Sequence, residues 1–577
     1  MTVKGGFVDD SIDGYGGGLF VDGSSGVEIS GNTIINNTGI NGGGVALRNS
    51  TASLFDNLIQ DNLATSNSQA RGGGVFLYSS HGKISGNQIL NNKASVPADD
   101  TDSTIMAPGG GMFIQLSDPE IANNVFYSNQ TNGSQHYGGG LYIYESNNFN
   151  VHNNTFTDNN GLDGGGMAVI ESNVTISNNL FQNNHGRWGG GLYGWHMSSS
   201  IYGNTFLGNS ASDGGGGVLF DESPLASFKI NVVKNNISVN WGGGLDIYKS
   251  ACSIISNEIS YNQSKQGGGV AITPDSSVLF SNNSVVYNIA SLNGGGLNVG
   301  DSSNATIVNN RIMQNQARNA GGGMVIFGNS SPSIINNTIY KNEAPENWGG
   351  GIRVDTSTPI IMNNIIAGHS PSAGIFSYEA ISSVGSRVVH SYNDLWQNYV
   401  NYQGASYEYG SGSISGDPKF VNADVGNMQL LSDSPCIYAG NPDPAYNNLD
   451  GTRNTMGFLG GPYAVTIESS QPLYRFFNNN AGGHFYTIDE AEKDAVIQNY
   501  DWFRYEGVGF YAFSTEQPGT LPVYRFFNNN AGGHFYTIDE AEKDAVIQNY
   551  DWFRYEGIGF YAYPSNLILQ TGANCVF

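Results

Sequence analysis

Thirteen times along the chain a glycine triplet is followed by a short segment of alternating character. The triplets begin at Gly16, Gly42, Gly72, Gly109, Gly138, Gly164, Gly189, Gly215, Gly242, Gly267, Gly294, Gly321 and Gly349. The segments after them, among them VALR, VFLY, MFIQ, LYIY, LYGW, VLFD and LDIY, carry apolar residues at their first and third positions. That period of two is the mark of a strand with one buried face. About ten residues further on a second phrase recurs, as ISGNTIINN, ISGNQILNN, ISNNLFQNN, IYGNTFLGN and IINNTIYKN. It reads as two more short strands broken at an Asn-containing turn. Most steps between triplets are 25 to 30 residues, and the step of 37 between Gly72 and Gly109 holds an inserted loop, Ser95–Pro108.

Three short strands per coil with no helix between them do not fit a βαβ unit, but they fit one turn of a solenoid. Stacked coils about 4.8 Å apart let each strand pair with its equivalents above and below. Glycines in register admit positive φ and close approach of neighbouring coils. Asparagine tolerates the left-handed region and can hydrogen-bond to the next Asn in a ladder. The expected fold class is therefore all-β, a parallel β-helix of about thirteen coils, followed by a small α+β tandem-repeat module. Residues 1–391 are expected to form the coils and 472–513 and 522–563 the two repeats, with 392–463 between them.

Composition narrows the partners. With 23 basic and 48 acidic side chains the net charge is −25, which repels a phosphate backbone and argues against nucleic acid. No apolar run reaches the roughly 18 residues of a membrane span. Met1 is not followed by a charged and then apolar leader, yet the repeat is already running at Gly16. The expectation is that a leader has been removed. Cys252, Cys436 and Cys575 are far apart, without metal-ligand spacing, and their odd number argues against a disulfide framework.

The pairing of GGG-[VLMI] with [FI]xxN, as in Phe156–Asn159, Phe181–Asn184 and Phe206–Asn209, resembles the repeats of chlamydial polymorphic outer-membrane adhesins. The stretch from Tyr392 to Pro462, with SYNDLWQN and GDPKFVNADVGNMQLLSDSPCIYAGNPDPAY, is similar to the closing segment of bacterial secreted right-handed β-helix proteins of the pectate-lyase-like superfamily. The resemblance covers about 460 residues. It implies a right-handed helix and a secreted, extracellular or cell-surface location. The superfamily holds lyases, hydrolases, epimerases and adhesins, so it does not select an activity. The membrane β-barrel of the adhesin autotransporters has no counterpart here.

From Pro472 the triplets stop and aromatics rise. PLYRFFNNNAGGHFYTIDEAEKDAVIQNYDWFRYEGVGFYA recurs almost unchanged 50 residues later. Each copy reads as strand, strand, helix, strand, strand. Thr487 with Glu490, and Thr537 with Glu540, fit a capping box. The unit resembles a repeat of unknown function appended to secreted bacterial and fungal hydrolases, and that company implies cell-wall or glycan binding. Tyr474, Trp502 and Tyr505 read as the small core of each unit, with sugar stacking as the alternative. His484 and His534 read as structural hydrogen-bonders.

Chemistry is sought on the outward face of the post-glycine strands, at the second and fourth positions. There Phe76, Tyr78, Phe113, Tyr142, Tyr144, Tyr193, Trp195 and Tyr248 form an expected aromatic stripe for stacking sugar rings, unless a loop covers it. Asp221 and Asp246 follow at once, with His196, Glu222 and Lys249 at the next position. The two aspartates are expected about 8 Å apart, within the range for an inverting glycosidase. Alternatively the acids could hold Ca²⁺ against a uronate while Lys249 or His196 removes a proton; otherwise no metal or cofactor is expected. The plain alternative is a solvated turn. Arg353 and Asp355 read as an ion pair, and Asp99, Asp100 and Asp102 as a flexible acidic loop or a Ca²⁺ site. Three functions remain open. The favoured one is a polysaccharide-binding protein using the aromatic face and the C-terminal repeats. The others are a polysaccharide lyase or glycoside hydrolase at Asp221, Asp246, Lys249 and His196, and an adhesin or filament subunit stacking end to end through exposed strand edges.

Overall fold

The computed structural model describes the chain except residues 9–13, 97–105, 134–136, 346–348, 370–378, 385–387, 399, 405–406, 410, 424–425, 465–470, 516–519 and 563–577. Asp99, Asp100, Asp102 and Cys575 lie outside the described residues. Two compact units are present, one of residues 1–419 with 432–464, the other of 420–431 with 465–577.

The first unit is the solenoid. Three parallel sheets of 15 strands each run its length. The post-glycine sheet begins at Leu19–Asp22, the second at Glu28–Ser30, and the third at Thr33–Ile35 after a strand at Thr2–Lys4. Pairing is in register coil after coil, as in Leu141↔Met167, Tyr142↔Ala168, Ile143↔Val169 and Tyr144↔Ile170. All three sheets run on past residue 391, the first to Val400–Gly404. The reading of three strands per coil was incomplete. A fourth column, of four strands and then six, lies between the third sheet and the next glycine triplet. Its strands, such as Lys93–Ser95 and His185–Trp188, lack apolar alternation because what they bury is small, Ala94 and Gly186 in these two.

The interior is a narrow column of Ile, Leu, Val and Phe. Phe126, Phe156, Phe181 and Phe206 stack with centroids 4.6, 4.8 and 4.7 Å apart, one per coil. The glycines are dictated by that pitch. Gly164 has φ +74°, and a Cβ on Gly165 would lie 2.3 Å from the His185 carbonyl oxygen.

Corners are built alike. A residue in the left-handed region, such as Glu145, Asn153 or Asp158, is followed by a buried polar residue, here Ser146, Asn154 and Asn159. Asn159 accepts from the Asn129 backbone N–H and from its Nδ2, both at 3.0 Å. Its own Nδ2 donates to the Phe126 carbonyl at 2.9 Å and to Asn184 at 3.0 Å. A second Asn ladder runs through Asn124, Asn154 and Asn179, and a serine ladder through Ser117, Ser146 and Ser172. The closing segment docks on these corners: Asn309 Nδ2 donates to the carbonyls of Phe458 and Gly460, both at 2.7 Å. Cys252 and Cys436 are buried thiols, and Cys436 Sγ donates to Asp394 Oδ2 at 3.2 Å.

In the second unit each copy is a three-stranded antiparallel sheet with one helix. The first copy comprises Gln471–Asn478, His484–Thr487, helix Glu490–Asn499 and Phe503–Ala512. Two expected strands are thus one, Phe503–Ala512. The capping box is also corrected. The N-cap is Asp489, whose carboxylate accepts from Ala491 N and Glu492 N, while Thr487 Oγ1 accepts from Asp489 N. The core is Phe476, Phe485 and Val496 with Tyr474 against it, whereas Trp502 and Tyr505 are exposed. His484 bonds to Arg475, as a structural role requires.

The ladder makes a quantitative demand. Asn159→Ala strands two buried donors of Asn129 and should destabilise the solenoid by about 3 kcal/mol, read from the urea midpoint.

Candidate functional site

The second-position side chains of the post-glycine sheet point away from the core but do not reach solvent. Phe76, Phe113, Tyr142 and Tyr193 are buried in a second cluster with Ala46, Ala168, Ile170 and Leu219. Register pairing stacks Phe76 on Phe113 at 5.3 Å and Phe113 on Tyr142 at 5.4 Å. The cover is supplied by residues immediately before the triplets. Tyr15, Tyr137 and Trp188 pack on the cluster, and the Arg71 guanidinium lies 5.6 Å from the Phe113 ring. These residues stack as single bridges, Tyr137↔Asp163 and then Asp163↔Trp188. The expected open stripe is therefore corrected: half of it is a second core.

The fourth-position residues remain accessible. Tyr78, Tyr144 and Trp195 are half-buried and Tyr248 is exposed. Between the cover and this row opens a cleft of about 390 Å³, walled by Tyr137, Tyr144, Ile170 and Trp195, with Arg71 and Tyr193 also lining it. Tyr144, Ile170 and Trp195 are register partners on three successive coils.

Beyond Tyr193 the face turns acidic. The Tyr193 hydroxyl donates to Asp221 Oδ2 at 3.0 Å. Burial raises the Asp221 carboxyl, and this hydrogen bond pulls it back. Asp163 is raised to about 6, first by burial and then by Asp221, with Arg187 opposing at 3.6 Å. Asp246 is fully buried and raised to about 8 by desolvation, then by Asp213 and Asp221. Asp246 occupies the second position, and the absence of a side chain at Gly214 makes its room: a Cβ there would lie 2.3 Å from Asp246 Oδ2. Asp221 is thus flanked electrostatically by Asp163 on one side and Asp246 on the other.

The remaining candidates stand at the corner next to Asp221, whose carboxyl feels the charges of Glu222, Lys249 and His196. His196, Glu222 and Lys249 are corner residues with φ of 48, 44 and 44°. His196 Nε2 meets Glu222 Oε2 at 2.9 Å, and Lys249 Nζ donates to Glu222 Oε1 at 3.4 Å. They form an exposed charge ladder along the turn and do not join the Asp246 carboxyl, which lies under the cover. Arg353 and Asp355 pair at 2.8 Å as expected. Among the described residues no three His, Cys, Asp or Glu side chains gather as a metal cage. No helix among them is long and apolar enough to cross a membrane. Sequence reasoning missed Asp163, Arg71, Tyr137 and Trp188. The available signal was the residue before each triplet, which in the middle coils is Arg71, Pro108, Tyr137, Asp163, Trp188, Gly214 and Trp241.

A coil of glycine-lined strands with polar ladders at its corners defines a parallel β-helix. Residues 7–206, 101–259 and 248–424 match the family described as the right handed beta helix region, and the chain belongs to that family. Residues 459–563 match a domain of unknown function (DUF5648). Among solved structures, the chain is similar to the pectate lyase Pel9A at 12% identity, with 69% of this chain and 94% of that one covered and a TM-score of 0.27. It is also similar to the receptor binding domain of the Siphovirus 9NA tailspike at 10% identity, with 75% of each chain covered and a TM-score of 0.18. No curated protein matches.

The buried acids fix the sign of a pH effect. Asp163 and Asp246 hold protons when folded that they lose when unfolded, so stability present near pH 4 is lost as pH rises through about 6 and about 8. Asp246→Asn should flatten that decline and raise the melting temperature at pH 9, with little change at pH 4.

Proposed function

We propose that the chain is a secreted, extracellular or cell-surface protein that binds polysaccharide in the aromatic cleft of its post-glycine sheet. The observation that carries this reading is the cleft itself, about 390 Å³ along three coils, with Tyr144 and Trp195 as accessible ring faces. Such concavities, apolar with a few convergent polar groups, are where ligands bind. Arg71 and the Tyr193 hydroxyl supply those groups, and two ring faces two coils apart suit sugar units spaced along a chain. The acidic row favours no nucleic-acid ligand.

A second reading, glycoside hydrolysis on the same face, is favoured by the carboxyl row. A carboxyl held near 6 at Asp163 carries a proton at mildly acidic pH, while Asp221 beside it is positioned by Tyr193. Acid–base cleavage of a glycosidic bond needs two carboxyls on one face, and burial raises both of these, with the Tyr193 hydrogen bond opposing it at Asp221. In this reading Asp163 takes the place expected of Asp246. Proton abstraction by Lys249 or His196 loses support, since both are tied to Glu222 at the exposed corner.

Affinity electrophoresis against plant, algal and bacterial polysaccharides tests both. Retention by at least one glycan is expected, weakened about tenfold or more by Trp195→Ala and by Tyr144→Ala. Retention by none, with filaments in negative stain, would replace the reading with a structural subunit. Asp221→Asn should leave retention intact and remove any release of reducing ends.

A further inference from the structure

The C-terminal copies, Pro472–Ala512 and Pro522–Ala562, differ at only two positions, Leu473/Val523 and Val508/Ile558. They share an apolar cluster that takes Leu473 and Ala512 from the first and their equivalents Val523 and Ala562 from the second, but the polar contacts around it join different surfaces. From the second copy, Arg525 Nη1 and Nη2 donate to Glu492 of the first at 3.0 and 3.3 Å. The Tyr536 hydroxyl accepts from Tyr486 N at 2.9 Å and donates to Tyr486 O at 3.1 Å. The His534 ring lies 4.7 Å from that of Phe485. In return Asn478 Nδ2 of the first copy donates to Gly532 O at 2.9 Å. The contact is head-to-tail: one face of the first copy against a different face of the second.

Because the sequences match, each copy carries both faces, and one of each is left over. Arg475, equivalent to Arg525, is 42% exposed where Arg525 is 18%. His484 is 31% exposed and His534 11%. On the second copy the equivalents of Asn478, Phe485 and Glu492 are Asn528, Phe535 and Glu542. Asn478 and Phe485 are buried, whereas Asn528 and Phe535 are only half-buried and Glu542 is exposed. Among the described residues Glu542 has no ion-pair partner, and Arg475 keeps the pair with its own copy's Glu506, at 2.9 Å, that Arg525 also makes with Glu556 at 3.1 Å.

We propose that the uncovered Arg475 face of one chain docks on the uncovered Glu542 face of another, repeating between chains the contact seen within one. The occupant is specified by the interface already formed: the surface that covers Glu492 is one this chain presents a second time. A heterologous contact of this kind does not saturate in a dimer; it propagates until a ring closes or a string grows. The charge complementarity of an arginine fork and a carboxylate sets orientation. This association is independent of glycan binding in the solenoid cleft.

Sedimentation velocity on the full chain tests it, from about 1 to 100 μM at low and high salt. Concentration-dependent species beyond the monomer are expected, weakened by salt. Arg475→Glu alone and Glu542→Arg alone should each weaken association at least tenfold, because each places like charges across the contact. Mixing the two variants should restore it, since the two reversed faces then meet with opposite charge and the two unaltered faces meet as before. Unchanged far-ultraviolet circular dichroism and melting of each variant controls for folding. A chain that stays monomeric throughout would overturn the proposal, as would association untouched by either reversal or not restored on mixing.

Discussion

A backbone that turns several times within about 27 residues buries polar groups at every corner, and each must find a partner inside the stack. Here one device serves all three polar corners. A residue in the left-handed region swings the chain, and the Asn or Ser after it turns inward to accept the backbone N–H of the coil before. At the Asn corners the same side chain's amide donates to the next rung and to a carbonyl of the preceding coil. Every such rung is therefore satisfied by its neighbours in the stack. Coil dimensions cannot drift without breaking a bond, and extra length is admitted only between ladders, as in the insertion before Gly109.

That constraint shapes the outer face. Strict register puts Phe76, Phe113 and Tyr142 one above another, so outward rings stack as efficiently as inward ones. The stack then becomes a second core under residues that precede the triplets. The same cover buries Asp246 and holds its proton, while Asp221, one position pair along, keeps contact with the Tyr193 hydroxyl at the cleft. Binding surface and buried acid are thus two consequences of one layer laid over one strand column.

Periodicity made the solenoid, its glycines and its Asn corners legible, because each recurs at fixed spacing with a fixed physical task. Alternation says which side of a sheet a residue faces, but not whether that side is covered. Tyr142 and Tyr144 both point outward, and only the second is accessible. The cover was illegible because it is made of single residues with no pattern of their own. The fourth strand column escaped for a related reason, since KAS and HGRW bury one small residue and show no alternation. Asp221 and Asp246 were found by position; Asp163 was not, lying in the cover. In the C-terminal copies a Thr–Glu spacing suggested one cap while the adjacent Asp489 provides it, the shorter carboxylate side chain reaching two amides at once.

The position before each triplet is joined to its neighbours mostly by lone bridges, and its side chain lies outside both the hydrophobic column and the polar ladders. It can change from arginine to tyrosine, aspartate, tryptophan or glycine from coil to coil while the frame beneath stays the same. The solenoid thus carries something like a line of movable type: letters exchanged one at a time, set on a press that needs no rebuilding.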